Sequence, residues 1–143
     1  MNDNEQLLMG LHKGAEMGRN TIDKLISYVE DKPFKALLER HREEYSRIYM
    51  SADVLLKSLD GDDGDLPAMA KAMGDLMIDM TTLTDRSTLK LAELVMKGTK
   101  KGIEQFNEDM EKYSRGASTE TNNLARVYGE FLEHNQQELK RYV

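Results

Sequence analysis

The sequence contains no cysteine, no tryptophan, only two prolines in 143 residues and no long apolar run. Without cysteine there is no disulfide framework, no thiolate metal site and no thiol chemistry, and the redox compartment stays open. Positive charge is also short: Lys and Arg number 20 against 26 Asp and Glu, giving a net charge of −6 and a pI near 5.1. Nucleic-acid affinity depends on clustered Lys and Arg releasing counterions, so this balance argues against a nucleic-acid partner. Lys97, Lys100 and Lys101 form the only notable basic cluster, and acidic residues follow directly. Nowhere do apolar residues run long enough to span a bilayer. The opening Met1-Asn2-Asp3-Asn4-Glu5-Gln6 lacks the basic start and apolar run of a signal peptide, which predicts a cytoplasmic protein without a membrane partner.

What is present points to one soluble, all-α domain over residues 1–143. Hydrophobic residues make up 39% and charged residues 32%, a balance typical of helical proteins with solvated outer faces. A chain of this length can bury roughly 70% of its unfolded surface in a single core. The organising stretch is Lys97-Gly98-Thr99-Lys100-Lys101-Gly102, because the same K-G-x-x-x-G pattern stands 84 positions earlier as Lys13-Gly14-Ala15-Glu16-Met17-Gly18. Each copy lies in a long helical pattern, followed by a break and a second long helical pattern. The spacing therefore predicts two helical hairpins, over about 4–59 and about 85–143.

In the first helix, Leu8, Leu11, Ala15, Gly18, Ile22, Leu25 and Val29 alternate steps of 3 and 4, the stripe that faces a neighbouring helix. Glycine inside a helix costs about 0.5–1 kcal/mol relative to alanine, so Gly14 and Gly18 one turn apart, like Gly98 and Gly102, predict helix packing with a close backbone approach. Asp31-Lys32-Pro33 breaks the chain, and proline suits the first turn of the next helix. That helix carries Phe34, Leu38, His41, Tyr45, Ile48, Ala52, Leu55 and Leu59 on its inner side. A third helix is predicted from near Asp85 or Ser87, with Leu91, Leu94, Val95, Gly98, Gly102, Phe106, Met110 and Tyr113 inward. It should end at Ser114-Arg115-Gly116-Ala117-Ser118. The fourth, from about Thr119 to Tyr142, should bury Leu124, Val127, Phe131 and Leu139, with His134 on the same stripe.

Between the hairpins, about 60–84 reads as a long crossover. Asp60-Gly61-Asp62-Asp63-Gly64-Asp65 has some features of a calcium loop, but an EF-hand starting at Asp60 needs glycine sixth and glutamate twelfth and finds Asp65 and Lys71, so a solvated turn is expected. From Pro67 to about Leu83 a short helical pattern puts Met69, Met73, Leu76, Met77 and Met80 on one side. Methionine adapts to irregular surfaces, so this stripe either lies across the bundle or makes an oligomer contact through Met73 and Met77. If Thr81 to Thr88 were helical too, this helix would fuse with the third into one rod.

Superimposing the two hairpins matches the K-G-x-x-x-G stretches at an offset of 84 and the second helices at an offset of 94, where Leu38-Glu39 meets Leu132-Glu133, Glu44 meets Glu138 and Arg47 meets Arg141. The difference is expected in a longer turn in the second copy. Two hairpins with equivalent helices parallel need a long connection, and Asp60 to Thr84 can supply it; an up-down-up-down bundle is the alternative. On the glycine repeat and this crossover, the chain resembles the ferritin-like superfamily. Within it, the likeness is to small bacterial four-helix-bundle domains of unknown function with a K-G or R-G glycine turn in the first and third helices.

The resemblance raises a di-iron site. Metal-binding members of the superfamily carry a glutamate on one helix of each hairpin and Glu-x-x-His on the other, converging on two ions. Here His41 and His134 stand in the second helices, but three residues before them are Leu38 and Phe131, and Glu16 of the first helix is matched by Lys100. A reversed pairing of His41 with Glu44 and of His134 with Glu138 or Glu130 remains open. So does its plainer counterpart, helix-face ion pairs worth about 0.3–0.5 kcal/mol each. His12 has no such pattern and is expected at the solvent edge. No G-x-S-x-G and no strand-to-helix glycine loop occur. Two functions follow. One is a non-catalytic bundle acting by self-association or contact with a protein partner, with no cofactor. The other is a metal-dependent oxidoreductase or iron-handling protein taking iron or another divalent metal at an atypical site.

Overall fold

Four side chains start the helices. Asn2, Asp31, Ser87 and Ser118 are extended residues whose side-chain oxygens accept from the backbone N–H three residues on, at 2.8, 2.9, 3.2 and 3.1 Å. Each cap satisfies a donor that the first helical turn leaves unpaired, worth about 1 kcal/mol. The helices that follow are α1 (Asp3–Leu25), α2 (Lys32–Ser58), α3 (Thr88–Tyr113) and α4 (Thr119–Leu139). Short 3₁₀ turns close α1, α3 and α4 at Ile26–Tyr28, Ser114–Gly116 and Lys140–Tyr142. The computed structural model describes residues 1–59 and 80–143, and among them there is no strand. Met69, Met73, Leu76, Met77, the acidic turn at 60–65 and most of the expected crossover helix lie outside the described residues. Met80 is buried, and 80–87 is not helical, so α3 does not extend back as a rod.

The helices pack as a square: α1 lies against α2 and α3, and α4 closes the square against α3 and α2, leaving α2 and α3 on a diagonal. Side-chain contacts give the directions. Gly10 of α1 adjoins Asp109 of α3, and Asp3 adjoins Gly116, so α1 and α3 run antiparallel. Phe34 packs on Tyr142 and Tyr45 on Phe131, so α2 and α4 are also antiparallel. Consequently α2 and α3 run the same way, and the order is up, down, down, up. The expectation that equivalent helices are parallel is thereby corrected. It is the parallel diagonal pair α2 and α3 that puts the end of one helix and the start of the next at opposite ends of the bundle. Arg86, just before α3, marks that start: its guanidinium donates to the Met80 carbonyl at 2.7 Å and lies 4.7 Å from the Tyr28 ring centroid, beside the turn from α1 to α2.

The ten-residue difference between the hairpins does not sit in the turn. Leu25 ends α1 seven residues past Gly18, whereas α3 continues eleven residues past Gly102 to Tyr113, and α4 starts correspondingly further before Leu132. The second hairpin is longer in helix because Phe106, Met110 and Tyr113 keep packing on the core that far. Inside the square, Leu7, Leu11, Ile22, Leu25, Phe34, Leu38, Leu91, Leu132 and Leu139 are essentially sealed from solvent. Each such side chain contributes about 1.5–3 kcal/mol relative to exposure. In α4 the buried face is Thr121, Ala125, Tyr128, Leu132, Asn135 and Leu139. Of the expected stripe Leu139 is buried, but its other members are one position out of phase: Leu124 and Phe131 are only partly covered, and Val127 is exposed. The true face carries threonine, tyrosine and asparagine, and these polar types hid it.

Candidate functional site

Where α1 and α3 face each other, both helices present glycines, and the missing side chains leave a cavity of about 370 Å³. Gly10, Gly14 and Gly18 line it from α1, and Gly98 and Gly102 from α3. Backbone does not fill this space, as the sequence had implied; side chains from the other two helices enter it. A Cβ on Gly18 would strike the ring of Tyr45 from α2, and one on Gly14 would stand 2.6 Å from the Tyr128 hydroxyl of α4. At Gly102 the same Cβ would meet Leu132 and the Tyr128 hydroxyl at 3.9 Å, ordinary contact with room to spare. The volume is within the usual range for small-molecule sites, about 300–1,000 Å³.

The polar groups on the walls differ in how they are partnered. Tyr45 is buried with its hydroxyl directed at Thr99 and Asn135, and burial pushes its pKa up to about 12. Thr99 donates in turn to the Val95 carbonyl at 3.0 Å. Tyr128 is 3% exposed, its ionisation is pushed well above the usual tyrosine value by burial, and its hydroxyl makes no hydrogen bond among the described residues. That hydroxyl lies between Gly14 and Gly102 at the cavity wall. Asp109 takes one hydrogen bond, from Gln105 Nε2 at 3.0 Å, and burial raises its carboxyl above the ordinary carboxylate value. Asn135, beside Tyr45 but off the cavity lining, is sealed with neither amide atom satisfied.

The residues considered for metal are placed differently. His41 is buried, and its Nε2 lies 3.0 Å from Glu138 Oε1 of α4, across the bundle, while Glu44 pairs with Arg47 at 2.7 Å. Burial outweighs Glu138 and lowers the His41 pKa, so the imidazole is neutral at pH 7. His134 reaches the same Glu138 oxygen at 3.5 Å, but from outside: its side chain is 73% exposed and not on the inner stripe. Its place on the 94-residue offset from His41 is taken by Asn135. His12 is not at the solvent edge; it is buried, stacked on Tyr49 at 4.1 Å, and 3.4 Å from Asp53 without forming a hydrogen bond. Among the described residues no three His, Asp or Glu side chains are grouped to hold a metal ion.

Chemically, the arrangement suits recognition. Two tyrosines, two threonines, His41, the Gln105 amide, Lys101 and three carboxyls border a largely apolar hollow. Gly10, Thr99, Asp109 and Tyr128 were not singled out from the sequence. Tyr128 could have been, since it stands 94 positions from Phe34 and so belongs on the inner face. Among the described residues no helix is long and apolar enough to cross a membrane. No family model, curated protein or solved structure matches this chain.

Proposed function

We propose that the protein is a non-catalytic bundle of ferritin-like topology that acts by binding, with the hollow between α1 and α3 as its binding site for a small organic molecule. The observation that carries this reading is the hydroxyl of the buried Tyr128, which makes no hydrogen bond among the described residues and stands at the wall of a cavity large enough for a ligand. A ligand offering a partner atom at that wall gains a hydrogen bond worth about 0.5–1.5 kcal/mol. The up-down-down-up order supports the ferritin-like assignment, because it calls for one long crossover between the hairpins, and residues 60–84 are available for it. Matching buried positions support an internal duplication: Phe34, Leu38, His41 and Tyr45 correspond to Tyr128, Leu132, Asn135 and Leu139. The di-iron reading is not the one proposed. The positions that would need glutamate hold Leu38 and Phe131, which are packed apolar side chains.

Thermal denaturation tests the binding reading. A panel of small aromatic alcohols and amines at millimolar concentration should raise the Tm of the native protein, and Gly102→Leu, which fills the hollow, should abolish the response. A panel that leaves Tm unchanged, or acts equally on both proteins, contradicts it. A surface role through self-association or a protein partner is the second reading, favoured by Met50 and Val54, each 65% exposed and one turn apart on α2. Sedimentation showing a concentration-independent monomer would count against the self-association form of it.

A further inference from the structure

We propose that the ligand of the α1–α3 hollow is an organic amine with an apolar body, its ammonium held by Asp109 and its body seated among Tyr128, Phe106 and the glycine faces. The inference rests on the binding reading above and adds the chemistry of the ligand.

The two halves of the chain show what sets this end of the bundle apart. At the offsets of 84 and 94, Asp109 corresponds to Leu25, Tyr128 to Phe34, and Gly10 to Leu94. Leu25 and Phe34 are fully buried hydrocarbon. At the hollow, the matched positions carry a carboxyl, a hydroxyl and a missing side chain. Packing alone needs none of these three, since the other half does without them. The room left at Gly10 admits the Asp109 carboxyl, whose Oδ2 would stand 2.5 Å from a Cβ there, and the wall thereby gains a carboxyl and an adaptable hydroxyl that the other half lacks.

Charge then selects the ligand. Asp109, Glu104 and Glu108 border the hollow, with Lys101 as the cation on the same lining. Lys112, whose charge also acts on Asp109 without an ion pair to it, is drawn to Glu108 at 2.8 Å. The only hydrogen bond that Asp109 receives is from the neutral Gln105, so the half-buried carboxyl has no ionic partner within the described residues. A carboxylate in such a setting is stabilised by an incoming cation, and a charge-assisted hydrogen bond is roughly twice as strong as a neutral one. An anion would face three carboxylates and the π-rich surroundings of Tyr128 and Phe106, whose rings pack edge to face at 5.7 Å. Among the described residues no three His, Asp or Glu side chains are grouped as an inorganic cation would need. The Tyr128 hydroxyl completes the site, accepting from the ammonium or donating to a polar atom on the body.

Isothermal titration of the full-length protein with three matched probes, phenethylamine, 2-phenylethanol and phenylacetate, tests this. The expected result is 1:1 binding of phenethylamine at least tenfold tighter than 2-phenylethanol, with phenylacetate weakest. In Asp109→Asn, which keeps the shape, the amine should lose its advantage while the alcohol binds as before. In Gly102→Leu all binding should disappear. Equal affinities for amine and alcohol, or an amine preference that survives Asp109→Asn, overturn the amine inference and leave the binding reading standing. Binding that survives Gly102→Leu, or no binding of any probe by the native protein, overturns both.

Discussion

A glycine's role in a helix depends on what stands opposite the atom it lacks. Gly18 faces the Tyr45 ring so closely that a methyl group has nowhere to go, whereas Gly102 faces open cavity with the nearest atoms at 3.9 Å. Gly18→Ala should therefore destabilise the protein by about 1–3 kcal/mol through overpacking. Gly102→Ala should stabilise it by about 0.5–1 kcal/mol, the helix-propensity gain. Urea midpoints of the two variants check the opposite signs. The K-G-x-x-x-G repeat told that something comes close to these helices, but not that it would be tyrosine from α2 and α4. Two residues of identical type and matched position thus have different fates, because the rings that enter come from partners far along the chain.

The histidines make a second prediction at this scale. His12 and His41 both have their pKa lowered in the folded state, chiefly by burial, from an ordinary value of 6.5. Below that value the unfolded chain binds these protons more readily than the folded one, so stability should fall as pH drops through 6.5 and stay level above it. A urea midpoint lower at pH 5.5 than at pH 7.5, with the difference reduced in His41→Gln, is the expected outcome. A flat or inverted profile would contradict it. Sequence spacing placed His41 correctly on the inner stripe, but it misjudged His12, whose burial comes from stacking on Tyr49 of the adjacent helix.

At the scale of elements, helix existence and boundaries were legible because the signals are local. Caps at Asp31, Ser87 and Ser118 and the proline after Asp31 all act within one turn. Helix phase in α4 was not, because Leu124, Val127 and Phe131 form an apolar stripe of good spacing beside the one that is used. The buried face includes Thr121, Tyr128 and Asn135, which a hydrophobicity pattern discounts. The consequence is measurable: Val127→Gln should change stability by no more than about 0.5 kcal/mol, as for an exposed site. Ala125→Leu should cost about 1–3 kcal/mol, since Ala125 is sealed against the core. Equal effects of the two would restore the first phase.

For the whole molecule, two hairpins could be read from the chain, but not their relative direction. Antiparallel α1 and α3 follow from contacts such as Gly10 with Asp109, between residues of unrelated pattern. The hollow is a property of that assembly: glycines from two helices supply its width, and tyrosines from the other two its walls. No single segment announces it.

The central claim, that this hollow is a binding site, is tested most directly by two-dimensional amide NMR of the full-length protein during titration with phenethylamine and with 2-phenylethanol. Gly14, Gly18, Gly98 and Gly102 are built-in reporters, since all four line the space, Gly14 and Gly18 beside the Tyr128 and Tyr45 side chains that an occupant would touch. Saturable shifts concentrated on these four glycines and on Thr99, Gln105 and Asp109 are predicted. Shifts scattered over the outer faces, or none with either probe, would contradict the account.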